Sequence, residues 1–244
     1  MDRFDPEYML MEELTNRHAD QNGKFPSLRD YRASVREAGF PCPSAQQLIE
    51  KYGSFNPFVD SFLKTYVSLN VCPLPDYLLG FLAYRAKVIH ASRRFHLRFL
   101  THEMEHIRIL QQFARHLRCY KAKEGKPTLM VRIYDAALVT GLERFYTVDN
   151  SFRPTVDFVR GYIDTHSHFR IQTPGKYRLT IWGPLVPQCH DFLVRLGARN
   201  TRVHSVGESY RMNLHCGSLR KIRHELYPLD CLCNEQVRMM LYKA

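Results

Sequence analysis

Apolar positions recur along this chain in two rhythms, and the change from one to the other predicts where helices give way to strands. In Asp157-Phe-Val-Arg-Gly-Tyr-Ile-Asp-Thr-His-Ser-His-Phe-Arg-Ile171 an apolar helical pattern runs directly into strict alternation. Residues 76–89 have the same layout, with Tyr77-Leu-Leu-Gly-Phe-Leu-Ala-Tyr-Arg-Ala-Lys-Val-Ile89 placing Gly80 where the later copy has Gly161. The pattern predicts an internal repeat.

After the first of these helices, 87–91 and 94–100 read as paired strands around Ser92-Arg93, with Phe95, Leu97 and Phe99 alternating with Arg94, His96 and Arg98. A helix over 101–118, a charged loop over 121–126, a strand over 128–134 and a short helix over 135–142 are expected to complete this half. In the second half the helix 155–163 leads into His166, His168, Arg170 and Gln172 alternating with Ser167, Phe169 and Ile171. Thr173-Pro-Gly175 turns the chain, and Lys176, Arg178 and Thr180 alternate with Tyr177, Leu179 and Ile181 on the return strand. A helix over 185–196, a hairpin from 202–206 and 210–216, and a closing helix over 218–226 follow. Ahead of both halves, Asn22-Gly23, Gly39 and Gly53 divide three helices over 7–19, 27–38 and 45–52, with Ser27 and Ser44 as starts. The expected divisions are an N-terminal helix-turn-helix-like module (1–66), two repeats (74–150 and 151–228) and a tail (229–244) from which no element is read.

Charge changes this picture more than composition does. The 244 residues carry a formal net charge of +11, which favours a polyanionic partner because each cation set against a phosphate releases counterions. The outward positions of the predicted hairpins are almost all basic or amide. An antiparallel ribbon of that kind fits the major groove, where Arg pairs with guanine and Gln with adenine. The seven cysteines are scattered without a Cys-x-x-Cys pair, and no apolar run is long enough to span a bilayer. We therefore expect a soluble, intracellular protein with reduced thiols and no membrane association.

Residues 78–86 and 159–167 resemble the LAGLIDADG motif of homing endonucleases. In that family the two motif helices pack through their glycine faces, and each delivers an acid at the eighth motif position to a shared divalent-metal site. The resemblance covers about residues 74–228, including the Leu-Tyr-Pro ending at 226–228. It implies an α+β fold of two pseudo-symmetric αββαββα repeats, with Gly80 and Gly161 at the helix interface. Gly23-Lys-Phe-Pro-Ser27, Pro43-Ser44 and Lys51-Tyr-Gly-Ser-Phe-Asn56 resemble the short helical repeat found beside many homing endonucleases, which would turn Gln46, Gln47 and Lys51 toward DNA. Carried over from the family, the base-contacting positions are His168, Arg170 and Gln172 in one half and Lys87, Ile89 and Ala91 in the other. There Arg93, Arg94, His96 and Arg98 are expected to compensate, and Lys176 and Arg178 to contact DNA from the return strand.

The motif acids are replaced. Arg85 and His166 stand at the eighth positions, and only Asp164, at the sixth, keeps a carboxylate. Magnesium wants hard carboxylate oxygens, so the expectation is a monomeric, sequence-specific binder of double-stranded DNA with no catalytic residue, no metal site and no cofactor. Mg2+ would be required only if nuclease activity is retained. Because the family includes RNA-binding splicing maturases, structured intron RNA is the alternative partner, and an active endonuclease with displaced acids is a further one. His102-Glu-Met-Glu-His106 also satisfies H-E-x-x-H, a zinc-peptidase pattern. Its next histidine, His116, shows no ligand pattern, and a helix start rich in glutamate explains the residues as well.

Overall fold

In a computed structural model the described residues are 1–21, 26–69, 74–91, 94–114, 116–122, 127–147, 152–173 and 176–243. They form two compact units, and the chain passes between them more than once. One unit comprises Met1–Leu74, Lys87–His102 and Leu110–Val148; the other comprises Pro75–Ala86, Glu103–Ile109 and Asp149–Ala244. The first motif helix thus belongs to the same unit as the second.

The first unit begins with four helices, α1 (Pro6–Gln21), α2 (Leu28–Val35), α3 (Ala45–Tyr52) and α4 (Phe55–Leu69). Ser27 and Ser44 each cap a helix through a reciprocal capping box, with Asp30 and Gln47 reaching back to the cap backbone. Gly53 ends α3 at φ 80°, a left-handed conformation that suits glycine. The aromatic residues that carry the repeat-like signature are packing residues. Tyr52 and Phe55 lie 5.4 and 5.5 Å from the buried Phe58 ring, and Tyr31 meets the same ring at 5.8 Å. The remainder of this unit contains β1 (Ala86–Ala91), β2 (Arg94–Thr101), β3 (Leu117–Lys121), β4 (Leu129–Ile133) and α7 (Ala136–Thr147), the four strands forming a sheet in the order β1-β2-β4-β3. Leu97, Phe99, Val131 and Ile133 are fully buried on its inner face.

The second unit pairs α5 (Asp76–Leu82) with α8 (Val156–His166). It adds a sheet of β5 (Ser167–Thr173), β6 (Lys176–Gly183), β7 (His204–Val206) and β8 (Ser209–His215) in the order β5-β6-β8-β7, together with α9 (Val186–Arg195), α10 (Cys216–Leu226) and α11 (Glu235–Lys243). Leu179, Ile181, Met212 and Leu214 form the buried face of this sheet, against which α9 and α10 pack. The helix α6 (Met104–Phe113) has its first turns in this unit and its last residues in the other. The two-repeat α+β architecture expected from the sequence is the observed one, each repeat running αββαββα.

Several expectations are corrected. The helix expected over 101–118 is only Met104–Phe113, because Leu117–Lys121 pairs antiparallel with β4 in the register Leu117↔Ile133 to Lys121↔Leu129. His166, expected on a strand, completes the last turn of α8. A fourth N-terminal helix was missed although Phe58, Val59, Phe62 and Leu63, all buried, have helical spacing. The tail is not featureless, since α11 docks on α10. The expected breaks at Asn22-Gly23, Ser92-Arg93 and Pro174-Gly175 fall wholly or partly outside the described residues.

Candidate motif centre and nucleic-acid interface

The helices α5 and α8 cross at their glycines. A methyl group at Gly80 would sit 2.8 Å from the carbonyl carbon of Phe158, and one at Gly161 would sit 2.9 Å from the Phe81 nitrogen. Backbone meets backbone there, and only glycine allows it. Thr155 caps α8 through the Phe158 N–H at 3.3 Å and donates to Asp76 of α5 at 2.7 Å. Near the other end, Thr165 donates to the Phe81 carbonyl at 3.1 Å.

Asp164 lies at the centre of a buried network. Its carboxyl accepts from Tyr77 at 2.8 Å, from Tyr227 at 2.6 Å and from the Asn234 backbone N–H at 2.7 Å. Its own carbonyl lies 2.9 Å from His106 Nε2. One residue therefore joins α5, α8, the end of α10 and the start of α11 through its carboxyl, and the first turn of α6 through its carbonyl. Burial nevertheless outweighs the three donors and raises its pKa to about 7. The same burial pushes Tyr77 and Tyr227 well above the usual phenol range. With both oxygens engaged, Asp164 is a structural carboxyl and has no free edge for a metal.

The eighth motif positions have contrasting surroundings. His166 is buried, its ring stacked on Tyr162 at 4.1 Å, with Nδ1 2.9 Å from the Thr165 hydroxyl. Burial, reinforced by nearby Arg85, lowers its pKa to about 3, so the imidazole is neutral. Arg85 follows Tyr84, which is 49% exposed and has φ 57°, a left-handed conformation uncommon for a bulky residue. The guanidinium is part-buried with an unpaired Nε, and its pKa is lowered by burial against the pull of Glu103. A guanidinium and a neutral imidazole do not fit magnesium, which needs several hard oxygen ligands in an octahedron. Among the described residues no group of three His, Cys, Asp or Glu could hold a metal ion.

The zinc-peptidase pattern does not assemble. Helix α6 begins at Met104, so His102 precedes it and bonds Thr128 at 3.3 Å. His106 is buried beside the Asp164 carbonyl. A pair of zinc ligands needs both imidazoles on one helical face.

The outer sheet faces carry the basic residues. Among the described residues the eight strands contain ten Lys or Arg and no Asp or Glu, so no carboxylate offsets these cations within a strand. Across the first sheet the register sets Arg98 beside Arg132 and Arg132 beside Arg118. Across the second it sets Arg170 beside Arg178 and Arg178 beside His215. Like charges directly opposite one another destabilise a sheet, and the Nε atoms of Arg132 and Arg178 are buried without a hydrogen-bond partner. Both rows have unmet demand for anions. Arg132 lies over the exposed Tyr120 ring at 5.0 Å and Arg118 over Tyr134 at 6.0 Å.

Of the residues expected at the interface, His168, Arg170, Gln172 and Lys176 are exposed and Arg98 and Arg178 half-buried. Gln172 falls where the β5–β6 register slips, between the pairs Ile171↔Tyr177 and Thr173↔Lys176. His96 is not an outward reader. Its ring centroid lies 5.4 Å from that of buried Tyr134, and His96 is 7% exposed. Gln47 is used in the α3 capping box, and Lys51 makes a 2.6 Å ion pair with the buried Glu7. Gln46 is exposed, bonded to Glu50 at 3.3 Å. Of the sequence-expected readers Lys87, Ile89 and Ala91, Lys87 is exposed and Ile89 half-buried. Arg93 and the side chains of Ala91 and Arg94 lie outside the described residues. Sequence reasoning missed Arg118, Arg132, Arg211 and His215, although their alternation on β3, β4 and β8 was available as a signal.

No family profile and no curated protein sequence matches the chain. Among solved structures it is similar to the homing endonuclease I-DmoI in complex with DNA and Ca, at 17% identity and TM-score 0.47, over 67% of this chain and 95% of that one. It is similar to the LAGLIDADG meganuclease I-CpaMI bound to uncleaved DNA at 12% identity and TM-score 0.47, over 68% and 89%. Full-length DUF199/WhiA from Thermatoga maritima is similar at 14% identity and TM-score 0.41, over 68% and 58%.

Proposed function

We propose that this protein is a monomeric, sequence-specific double-stranded DNA-binding protein of LAGLIDADG type that does not cleave its target. The observation that carries this reading is the pair of cross-strand basic rows, Arg98–Arg132–Arg118 and Arg170–Arg178–His215, on strands without a single carboxylate. Arginine forks bind guanine edges and phosphates through paired hydrogen bonds. His168, Arg170 and Gln172 read bases, while Lys176, Arg178 and Arg98 set register and affinity through phosphates. One chain supplies both repeats, so a second copy is not required. Replacement of the motif acids by Arg85 and His166 removes the ligands that cleavage needs, and Asp164 is already committed to Tyr77, Tyr227 and Asn234.

A second reading, binding of structured intron RNA, draws on Tyr120. Its exposed ring lies beside Arg132 on the first sheet, as a base-stacking surface does. Selection from randomised duplexes, followed by competition with duplex RNA and folded intron RNA in the presence of a chelator, tests both. Enrichment of one duplex sequence with nanomolar to micromolar affinity is expected; preference for folded RNA over every duplex would overturn the DNA reading.

A further inference from the structure

We infer that Arg85 is a binding site for one backbone phosphate of the nucleic acid, so that the degenerate motif centre grips the chain through a fixed cation. The inference rests on the nucleic-acid-binding reading above and concerns a position outside both sheets.

Several observations meet at this residue. The Arg85 side chain makes no hydrogen bond or ion pair among the described residues, and its Nε is buried and unpaired. A partly buried guanidinium without acceptors is costly, and a phosphate supplies two acceptor oxygens in the geometry its fork matches. Glu103, the acid whose charge acts on Arg85, is bonded by Asn234 Nδ2 at 2.9 Å and lies 3.2 Å from His106 Nε2. The imidazoles beside Arg85 belong to His106 and His166, both pushed toward the neutral form by burial, so they neither repel the guanidinium nor compete for an anion as cations.

The backbone supports the same reading. Tyr84 is held in the left-handed region although it is not glycine, and Ala83 and Arg85 on either side still donate to Leu79 at 2.9 Å and Leu82 at 3.0 Å. Such strain persists only where surrounding structure enforces it, and it clusters at binding sites. In the second motif copy the matching residue, Thr165, is helical and buried. Only the first copy turns a cation out of its helix end beside an exposed tyrosine.

The test uses the full chain and its selected duplex. Affinity is measured across salt concentrations for the parent, Arg85→Gln and Arg85→Lys, and then on duplexes carrying a neutral methylphosphonate at each phosphate in turn. Loss of one phosphate contact should lower the slope of log affinity against log salt by about 0.9 in Arg85→Gln, with Arg85→Lys retaining most of it. One methylphosphonate position should weaken the parent roughly tenfold and leave Arg85→Gln unaffected, while other positions weaken both proteins alike. A folded Arg85→Gln with the parental slope and phosphate map overturns the inference. If Arg85→Gln does not fold, Arg85→Ala takes its place: lost sensitivity at a single phosphate supports the site, and an unchanged map overturns it. A saturable rise in melting midpoint with inorganic phosphate alone, lost in Arg85→Gln and accompanied by an unchanged phosphate map, reassigns the site to a free anion. Failure of the parent to bind any nucleic acid removes the parent reading as well, whereas duplex binding with the parental slope and map in Arg85→Gln removes this inference alone.

Discussion

At Gly80 and Gly161 the two motif helices meet in the same way, yet three to five residues further on their surroundings are opposite. In the second copy Asp164, Thr165 and His166 are each about 3% exposed. The carboxyl is bonded from three directions, the hydroxyl donates across to α5, and the imidazole is stacked and neutral. In the first copy the corresponding residues are Ala83, Tyr84 and Arg85, of which Tyr84 is strained and half exposed and Arg85 carries an unsatisfied charge. The cause of the difference is what covers each end. Tyr227 and Asn234, from the close of α10 and the approach to α11, converge on the second copy alone. The two helix ends thus differ in role: one is a buried structural anchor, the other carries a part-buried cation.

The shared part of the comparison is the most sensitive to mutation. Gly80→Ala or Gly161→Ala places a methyl group on a facing backbone, which cannot retreat as a side-chain end can, and a loss of roughly 3 kcal/mol or more is expected. Gly217→Ala, where a methyl group meets nothing within 4 Å, should change stability by no more than about 0.5 kcal/mol. Thermal melts compare them directly. Equal midpoints for all three variants would remove the close helix pair.

The anchored end should be the next most costly to disturb. Asp164→Ala leaves Tyr77, Tyr227 and the Asn234 N–H without their acceptor, with an expected loss of roughly 3 kcal/mol. The charge itself has a sign that pH can reveal. Because the folded pKa of Asp164 is raised from 3.8 to about 7, the folded state holds this proton more tightly than the unfolded chain does. Its stabilising contribution is full below pH 4 and is lost as pH rises through 7, a change on the order of 4 kcal/mol at most. His166 works in the other direction. Its pKa is lowered from 6.5 to about 3, so its contribution is present above pH 6.5 and lost as pH falls toward 3. Denaturant midpoints across this range should show Asp164→Asn flattening the loss toward neutral pH and His166→Gln flattening the loss toward acid. A parental slope retained by Asp164→Asn would mean the carboxyl is not titrating in the core.

The comparison extends to the two sheets. Arg170→Ala on the second sheet should weaken binding of the selected duplex by roughly 1 to 3 kcal/mol and relax sequence preference at one position. Lys176→Ala should weaken all duplexes alike, with a shallower salt dependence. Selection on randomised duplexes separates the two behaviours. Arg170→Ala with the parental preference would assign base reading to other residues, with Arg132 on the first sheet the next to test.

The smallest expected effect is that of metal. Adding magnesium or manganese to the bound duplex should produce no strand cleavage and no more than a salt-like change in affinity, since neither motif end offers an uncommitted carboxylate. Sequencing gels with excess protein check this. Specific double-strand breaks that disappear in Asp164→Asn would show that the anchored carboxyl can be released for catalysis.

The residues themselves determined much of this. The glycine-bearing helices, the alternation of Phe169 and Ile171 with His168 and Arg170, and the absence of acids at Arg85 and His166 are local properties, legible because side-chain period and residue chemistry act within a few positions. The two-repeat α+β order followed from those local signals. What tertiary structure alone decided is non-local. Residues 117–121 became a strand because β4 lies alongside them, overriding a pattern that continued the preceding helix. His96 became a core residue packed against the Tyr134 ring, 38 residues on, and Lys51 turned to Glu7, 44 residues away. Asp164 became an anchor because Tyr227 and Asn234 come back to it from more than 60 residues downstream. Burial and partner choice depend on which surfaces meet after folding, and a one-dimensional pattern carries no record of that encounter.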